Sequence, residues 1–198
     1  MSTVRLEAFS DGVIAILITI MVLELKVPQG TDWAALQSIV PVFLTYVLSF
    51  VFLGIYWNNH HHMLHATTRI NGKILWANLH LLFWLSLVSF ATGWMGENHF
   101  APVPTALYGV VLFFSGVAYK ILQSLIIADQ GKGSRLAAAV GSDIKGKLSP
   151  VLYAVAIAMA FVHQWISDAL YVAVALMWLV PDRRISAQLS REAQPEPG

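Results

Sequence analysis

The sequence predicts an all-α, polytopic membrane protein with six transmembrane helices, and three observations lead to this class. The chain has 198 residues, of which 57% are hydrophobic and only 12% are charged, whereas soluble domains carry about 25% charged residues. Its mean hydropathy is +0.65. Its apolar residues also form repeated long runs separated by polar, Gly- or Pro-containing stretches, the pattern typical of membrane-spanning helices.

The first hydrophobic segment covers residues 5–25 and differs from an ordinary lipid-facing span. It opens with the charged residues Arg5, Glu7 and Asp11, and then runs apolar from residue 12 to 23 with Thr19 as the one polar interruption. This apolar core is shorter than the about 20 residues that a lipid-exposed span needs. Because charges at membrane depth are costly unless they face protein or water, the segment predicts a helix packed inside a membrane bundle.

Five further segments follow, and polar stretches bound each of them. The stretch at 58–73 contains four histidines, and the connection at 129–147 is rich in Gly and Lys. Together the segments predict one six-helix domain at residues 1–185, followed by a disordered cytoplasmic tail at 186–198. The five predicted helices are approximately 36–57, 74–93, 105–127, 148–162 and 168–180.

The basic residues predict the orientation of the chain. With a cytoplasmic N-terminus, Lys26 alone falls outside and Lys120 lies in the inner half of the fourth helix. This asymmetry places both termini in the cytoplasm and requires an even number of spans. The first helix is a poor signal peptide, so we expect it to be retained. The basic residues placed inside are Arg5, Arg69, Lys73, Lys132, Arg135, Lys145, Lys147, Arg183, Arg184 and Arg191.

One face of the first helix is apolar with a single hydroxyl group. At roughly 100° per residue, Gly12, Ile16, Thr19 and Leu23 fall on one stripe, and Asp11 points away from it. Periodicity leaves two interpretations open. The stripe packs on neighbouring helices through Gly12, with Thr19 bonded to its own backbone, or it lines a narrow pore as a hydrophobic constriction with one hydroxyl ring.

The base of the first helix predicts a polar network with the end of the second. Asp11 needs a partner if it is buried, and Arg5, from the same or a neighbouring chain, His60 and His61 are the candidates. Two roles stay open: a structural clamp, or a network that sets the pitch of the helix and responds to histidine protonation.

Metal, nucleic-acid and enzyme functions are not indicated. His61 and His65 have the i, i+4 spacing of metal ligands, but no acidic residue accompanies the run locally, so no metal site or cofactor is predicted. A net charge of +1 gives no ground for a nucleic-acid partner, and the absence of cysteine excludes disulfides. The sequence has no phosphate-binding loop, no GxSxG motif and no TVGYG potassium filter.

Residues 5–11, Arg-Leu-Glu-Ala-Phe9-Ser10-Asp, carry the RxxxFSD signature and resemble the transmembrane protein 175 family, the lysosomal potassium channel and its shorter bacterial relatives. Residues 56–61, Tyr-Trp-Asn-Asn-His-His, and 75–79, Leu-Trp-Ala-Asn-Leu, are similar to the second and third helices of that family. The specific motifs lie in the first 80 residues or so, whereas the later segments match mainly in hydropathy.

The resemblance implies a multi-pass potassium channel of the bacterial inner membrane. Members with one six-helix repeat assemble as homotetramers, and their pore is lined by the first helix. Carried over, the constriction residues become Ile16, Thr19 and Leu23, on the stripe that begins at Gly12. Glu24 would lie at the outer mouth. The contacts that hold the pore helices would come from the signature and the second helix, namely Arg5, Phe9, Ser10 and Asp11 with His60 or His61.

The expected partners are therefore further copies of the chain, the lipid bilayer and monovalent cations, with K⁺ as the permeant ion. The alternative is a small membrane transporter, or a structural or binding membrane protein, in which the first helix is only packed core.

Overall fold

The computed structural model describes residues 2–131, 133–141 and 143–179, and every regular element in these ranges is helical. A 3₁₀ turn, Val22–Glu24, continues the first helix. The all-α prediction is confirmed, whereas the predicted tail at 186–198 lies outside the described residues. The described ranges contain eight α-helices, which are α1 Thr3–Met21, α2 Trp33–Gln37, α3 Val40–His65, α4 Gly72–Glu97, α5 Pro102–Gln130, α6 Arg135–Val140, α7 Ile144–Met159 and α8 Gln164–Leu179.

Among the residues that the structure describes, four helices are long and apolar enough to cross a membrane by length and composition. They are Thr3–Glu24, which includes the 3₁₀ turn, and the whole of α3, α4 and α5. At 1.5 Å rise per residue, the 16 residues of α7 reach about 24 Å, less than the roughly 30 Å of a hydrocarbon core. Helix α8 is described as far as Leu179. The six-span count and the orientation of the termini stay predictions.

Helix α3 continues further than its apolar run. The sequence placed its end near residue 57, but the helix runs on to His65. His60, Met63 and Leu64 are fully or almost fully buried in this extension. Packing against α1 and α4 therefore holds polar residues in a helix that hydropathy alone would have ended. The short helix α6 lies within the stretch at 129–147 that was predicted as a polar connection, and α2 ends within the predicted start of the second helix at residue 36, whereas α3 itself begins at Val40.

Helix α1 lies at the side of the bundle, where it packs against α3 and α4. Helix α4 also contacts α5. Helix α7 packs on α5 and on α8, and α8 has smaller contacts with α3 and α5. The buried face of α1 repeats at intervals of three to four residues, as expected for one side of a helix. Its members are Leu6, Ser10, Ile14, Leu17 and Met21.

The close crossing of α3 and α4 depends on Gly96. A Cβ atom there would lie 2.6 Å from the Thr45 Oγ1 atom and 2.7 Å from the Val42 Cα atom. We expect Gly96→Ala to lower the free energy of unfolding by about 1–3 kcal/mol, because the α3 backbone has to move. Thermal unfolding in detergent measures this. Gly54→Ala is the control, because a Cβ atom added at Gly54 would meet no described atom of a neighbouring helix within 4 Å. Equal stability of both variants would contradict the packing argument.

Candidate pore helix and its polar base

The stripe predicted from periodicity is the side of α1 that its own chain leaves uncovered. Ile16 is 56% exposed and Leu23 is 77% exposed, and Gly12 and Thr19 are also exposed. A Cβ atom on Gly12 would meet no described atom within 4 Å. The Thr19 Oγ1 atom donates to the Ile16 carbonyl at 2.9 Å, as the packed interpretation expected, but packing through Gly12 is not found within the described part of the chain.

On the opposite, buried side of α1, a series of hydrogen bonds connects the first turns of α1 with α4 and α3. Ser10 donates to the Leu6 carbonyl at 2.8 Å, and the Asn78 amide nitrogen donates to Ser10 Oγ at 2.9 Å. The Asn78 amide oxygen lies 2.7 Å from His60 Nε2. Because that oxygen can only accept, the His60 ring must donate from Nε2. His60 Nδ1 is buried and has no hydrogen-bond partner among the described residues.

Asp11 and His61 take part in two further contacts between α1 and α3. The Trp57 indole Nε1 donates to Asp11 Oδ1 at 3.1 Å. The His61 Nδ1 atom lies 2.8 Å from Glu7 Oε1. The hydrogen-bond donor to Asp11 is thus a tryptophan, rather than the arginine or histidines that the sequence suggested. His60 bonds to α4, while His61 bonds to the first turns of α1.

Arg5 and Phe9, the other two predicted members of the network, face outward. The Phe9 side chain is 49% exposed, and Arg5 is exposed as well. Arg5 has no hydrogen bond or ion pair with the part of its own chain that the structure describes. A cation beside a membrane needs a counter-charge or polar partners, so Arg5 is available to a neighbouring molecule.

At the other end of α1, Glu24 turns toward α4. Its carboxylate lies beside Gly93, where a Cβ atom would come within 3.1 Å of the Glu24 Oε2 atom. Nearby, Lys26 pairs with Glu97 at 2.5 Å. The hydrogen bond and charge of Glu97 raise the pKa of the Lys26 ammonium, with a smaller contribution from Glu24. This pair is exposed, so it adds little stability, but together with Glu24 it places three charges at one end of α1.

Three residues of the base were missed as partners by the sequence analysis. Asn78 and Trp57 were noted only within the two motifs that resemble the family, and Glu7 only as one of the opening charges. The signal for Asn78 was present, since an amide inside an apolar helix is costly unless it is bonded. Nothing local marks Glu7, because its partner lies 54 residues away.

The same contacts gather ligand-type atoms. One atom each from Glu7, Asp11 and His61 lies within 4.8 Å of the other two. The sequence predicted no metal site because no acidic residue follows the histidine run locally. The acids come instead from α1, through the packing of two helices.

Comparison with known proteins identifies the family. A family model described as the endosomal/lysosomal potassium channel TMEM175 matches residues 5–88. A protein of Chryseobacterium sp. (strain P1-3) that is named a potassium channel is 55% identical over 185 residues, which are 93% of this chain and 96% of that protein. This chain belongs to the TMEM175 family. The match begins at the RxxxFSD signature, so the predicted family is confirmed.

Further matches in sequence and in structure support the same family assignment. A potassium channel of Chamaesiphon minutus is 32% identical over 83% of this chain and 87% of its own length. The crystal structure of a lysosomal potassium-selective channel TMEM175 homolog from the same organism superposes with a TM-score of 0.80 at 29% identity, covering 89% of this chain and 96% of that one. The human endosomal/lysosomal proton channel TMEM175 is 36% identical over 96 residues, 19% of its length.

Membership of the TMEM175 family settles two broader predictions. The family consists of channels and not of enzymes, as the missing catalytic motifs indicated. It also makes this chain a multi-pass membrane protein, in agreement with its long apolar helices.

Proposed function

We propose that this chain forms a potassium-permeable cation channel, a homotetramer whose pore is lined by four copies of α1. The observation that carries the proposal is the uncovered stripe of Gly12, Ile16, Thr19 and Leu23. It lies on the helix that bears the signature of a family whose bacterial relatives are named potassium channels. A face left open by its own chain is available to line a pore between copies.

Small side chains on the same side of α1 support a close approach of the four helices. Ala8, Gly12 and Ala15 are all exposed and follow one another at i, i+4 and i+7. Small residues at this spacing allow helix backbones to come close together in membranes, where packing rather than the hydrophobic effect drives association.

The chemistry of the stripe suits a throat that acts as both gate and filter. Ile16 and Leu23 present hydrocarbon, so a small decrease in radius empties the throat of water and stops current. Potassium holds its hydration shell less tightly than sodium and crosses such a throat at lower cost. The Thr19 hydroxyl donates a hydrogen bond to the Ile16 carbonyl. The lone pairs of the Thr19 oxygen therefore face no donor in this bond and can accept a passing cation.

Acidic residues at the far end of α1 suit a cation-attracting outer mouth. Glu24 follows Leu23 in the sequence, with its carboxylate beside Gly93 of α4, and Asp32 lies in the loop that leads to α2. Negative charge beside a narrow opening raises the local cation concentration, and added salt screens this effect.

Reconstitution in planar bilayers tests the function. The purified protein should carry current whose reversal potential follows the potassium gradient more closely than the sodium gradient. An equal response to both ions would contradict the potassium preference, and no current under any gradient would contradict the channel itself.

Proton conduction is a second candidate, and the names of the animal relatives favour it. The proteins of zebrafish and human that match 36% and 42% of this chain are named proton channels. A pH gradient imposed in the same bilayers separates the two functions. A reversal potential that follows the pH gradient, with no response to potassium, would make protons the permeant ion.

The remaining alternative makes α1 the packed core of a transporter or a structural membrane protein. The exposure of the stripe and the open space at Gly12 speak against this alternative. It predicts that polar substitutions in the stripe change stability and leave ion flux unaltered.

Arg5 is expected to stabilise the assembly. Because its charge has no partner within the described residues of its own chain, we expect Arg5→Gln to weaken the tetramer by about tenfold, as loss of one charge-assisted contact would. Light scattering after size-exclusion chromatography at falling protein concentration measures this. Arg69→Gln is the matched control, because Arg69 binds Asp129 of its own chain at 2.9 Å. Unaltered assembly of the Arg5 variant would remove Arg5 from the interface.

A further inference from the structure

Three metal-ligating side chains converge where the first turns of α1 meet the last turns of α3. Glu7 and Asp11 are one turn apart on α1, and His61 approaches them from α3. The His61 Nδ1 atom lies 2.8 Å from Glu7 Oε1, and one ligand atom of each of the three residues lies within 4.8 Å of the others. Ligand atoms around a tetrahedral zinc ion lie roughly 3.4 Å apart, given metal–ligand bonds of about 2.1 Å. Small rotamer shifts are therefore enough to bring all three onto one ion.

The donor set selects a class of ion. An imidazole nitrogen with two carboxylates suits first-row transition ions such as Zn²⁺, whereas Mg²⁺ and Ca²⁺ prefer oxygen ligands alone. Three protein ligands leave at least one coordination position for water.

Neighbouring aromatic side chains hold these ligands in place. The Trp57 indole donates to Asp11 Oδ1, which orients that carboxylate and leaves Oδ2 without a hydrogen bond from the described residues. The Trp57 and His65 rings each stack on the His61 ring, with centroids 6.1 Å apart in both pairs. Fixing a ligand by an outer hydrogen bond is a regular feature of metal sites.

The cluster is also accessible to an ion from water. The Glu7 side chain is 20% exposed and the His61 side chain 41% exposed. The ligands are partly shielded, so an ion held there would lose some of its hydration while keeping a path of entry.

We propose that Glu7, Asp11 and His61 bind a divalent transition-metal ion of the Zn²⁺ type, and that this ion ties α1 to α3. The ion replaces the direct contact between His61 and Glu7 with three metal–ligand bonds, two from Glu7 and Asp11 of α1 and one from His61 of α3. Its effect on current rests on the proposed function, because only a pore-lining α1 would transmit the restraint to the conducting path. In such a channel the bound ion holds the first turns of α1 against α3 and lowers the current.

Calorimetric titration of the tag-free protein in detergent with Zn²⁺ tests the site without any measurement of current. We expect a single saturable site per chain that Mg²⁺ does not fill. His61→Gln and Glu7→Gln should each weaken Zn²⁺ binding by at least about tenfold. His62→Gln is the matched control. The His62 ring lies edge-on to the His61 ring, with centroids 5.5 Å apart, but His62 is not one of the three converging residues, so this variant should bind as the unaltered protein does.

Three results of the titration would overturn the site. They are the absence of saturable Zn²⁺ binding, equal losses in the His61 and His62 variants, and displacement of Zn²⁺ by equimolar Mg²⁺. Size-exclusion profiles identify variants that fail to fold, and the Glu7 variant provides a second measurement if the His61 variant is among them.

Bilayer recordings then test the restraint on α1. Zn²⁺ should reduce the current of the unaltered protein and of His62→Gln, and should have a weaker effect on His61→Gln. Zn²⁺ binding with no change in current would overturn the restraint. Absence of current from all proteins would contradict the proposed channel, while the titration would still decide the metal site.

Discussion

Leu23→Asn is expected to raise the single-channel conductance by about fivefold and to lower the preference for potassium over sodium. Leu23 is 77% exposed on the stripe of α1 that the proposed tetramer turns toward its axis. Four amides in place of four isobutyl groups would keep the throat wet. A barrier lower by about 1 kcal/mol corresponds to about fivefold in rate. Single-channel recording in planar bilayers, with potassium and sodium in turn, measures both quantities.

Leu176→Asn is the matched control for this substitution. Leu176 is 56% exposed, but it lies on α8, which packs against α7, α5 and α3. Its replacement should leave conductance and selectivity unaltered. If the Leu23 and Leu176 variants conduct alike, the pore does not run along the stripe.

Asn78→Leu is expected to lower the melting temperature by about 5 °C and to loosen α1 from α4. Asn78 is fully buried and joins Ser10 of α1 to His60 of α3. A leucine of similar size removes both hydrogen bonds. Ser10 keeps its bond to the Leu6 carbonyl, whereas the buried His60 ring is left with no hydrogen-bond partner among the described residues. Hydrogen bonds between membrane helices are worth about 0.6 kcal/mol each on average, and a buried group left unpaired costs more. A loss of about 1–2 kcal/mol corresponds to this shift in a protein of this size.

Thermal unfolding in detergent, followed by circular dichroism, tests the role of Asn78. Asn58→Leu is the control, since that asparagine is exposed on α3 and has no hydrogen bond with the described residues. Equal melting temperatures for the two variants would mean that the Ser10–Asn78–His60 chain contributes nothing to stability.

The helical segments could be predicted because hydropathy is a local property. Six apolar runs predicted helices, and the structure has a helix at each of them. The boundary of α3 was wrong by eight residues, since His60 and Leu64 remain helical through burial against other helices. Hydropathy registers the preference of a residue for lipid and does not register the neighbours that cover it.

The stripe on α1 could also be predicted, because helical periodicity fixes which residues share a face. It could not be assigned to core or to an open surface. Whether the stripe is buried depends on which side of α1 the helices α3 and α4 pack against. They cover the side that carries Leu6, Ile14 and Met21 and leave the stripe open.

The hydrogen-bond partners of the first turns of α1 could not be predicted from neighbouring residues in the sequence. Asp11 meets Trp57 across 46 residues of sequence, and Asn78 meets Ser10 across 68. The grouping of Glu7 with His61 arises in the same way. Spacing within one helix indicates which groups are neighbours on that helix, and carries no information on the register between two helices.

The sequence by itself determined that this chain is helical, membrane-spanning and a member of its family, because composition, periodicity and a short signature are written in consecutive residues. Only the tertiary structure decided which face of α1 stays open, which donor reaches Asp11, and that two acids and a histidine share one place. These outcomes follow from the packing of α1 against α3 and α4, and helix packing is set by contacts between residues that are far apart in the chain.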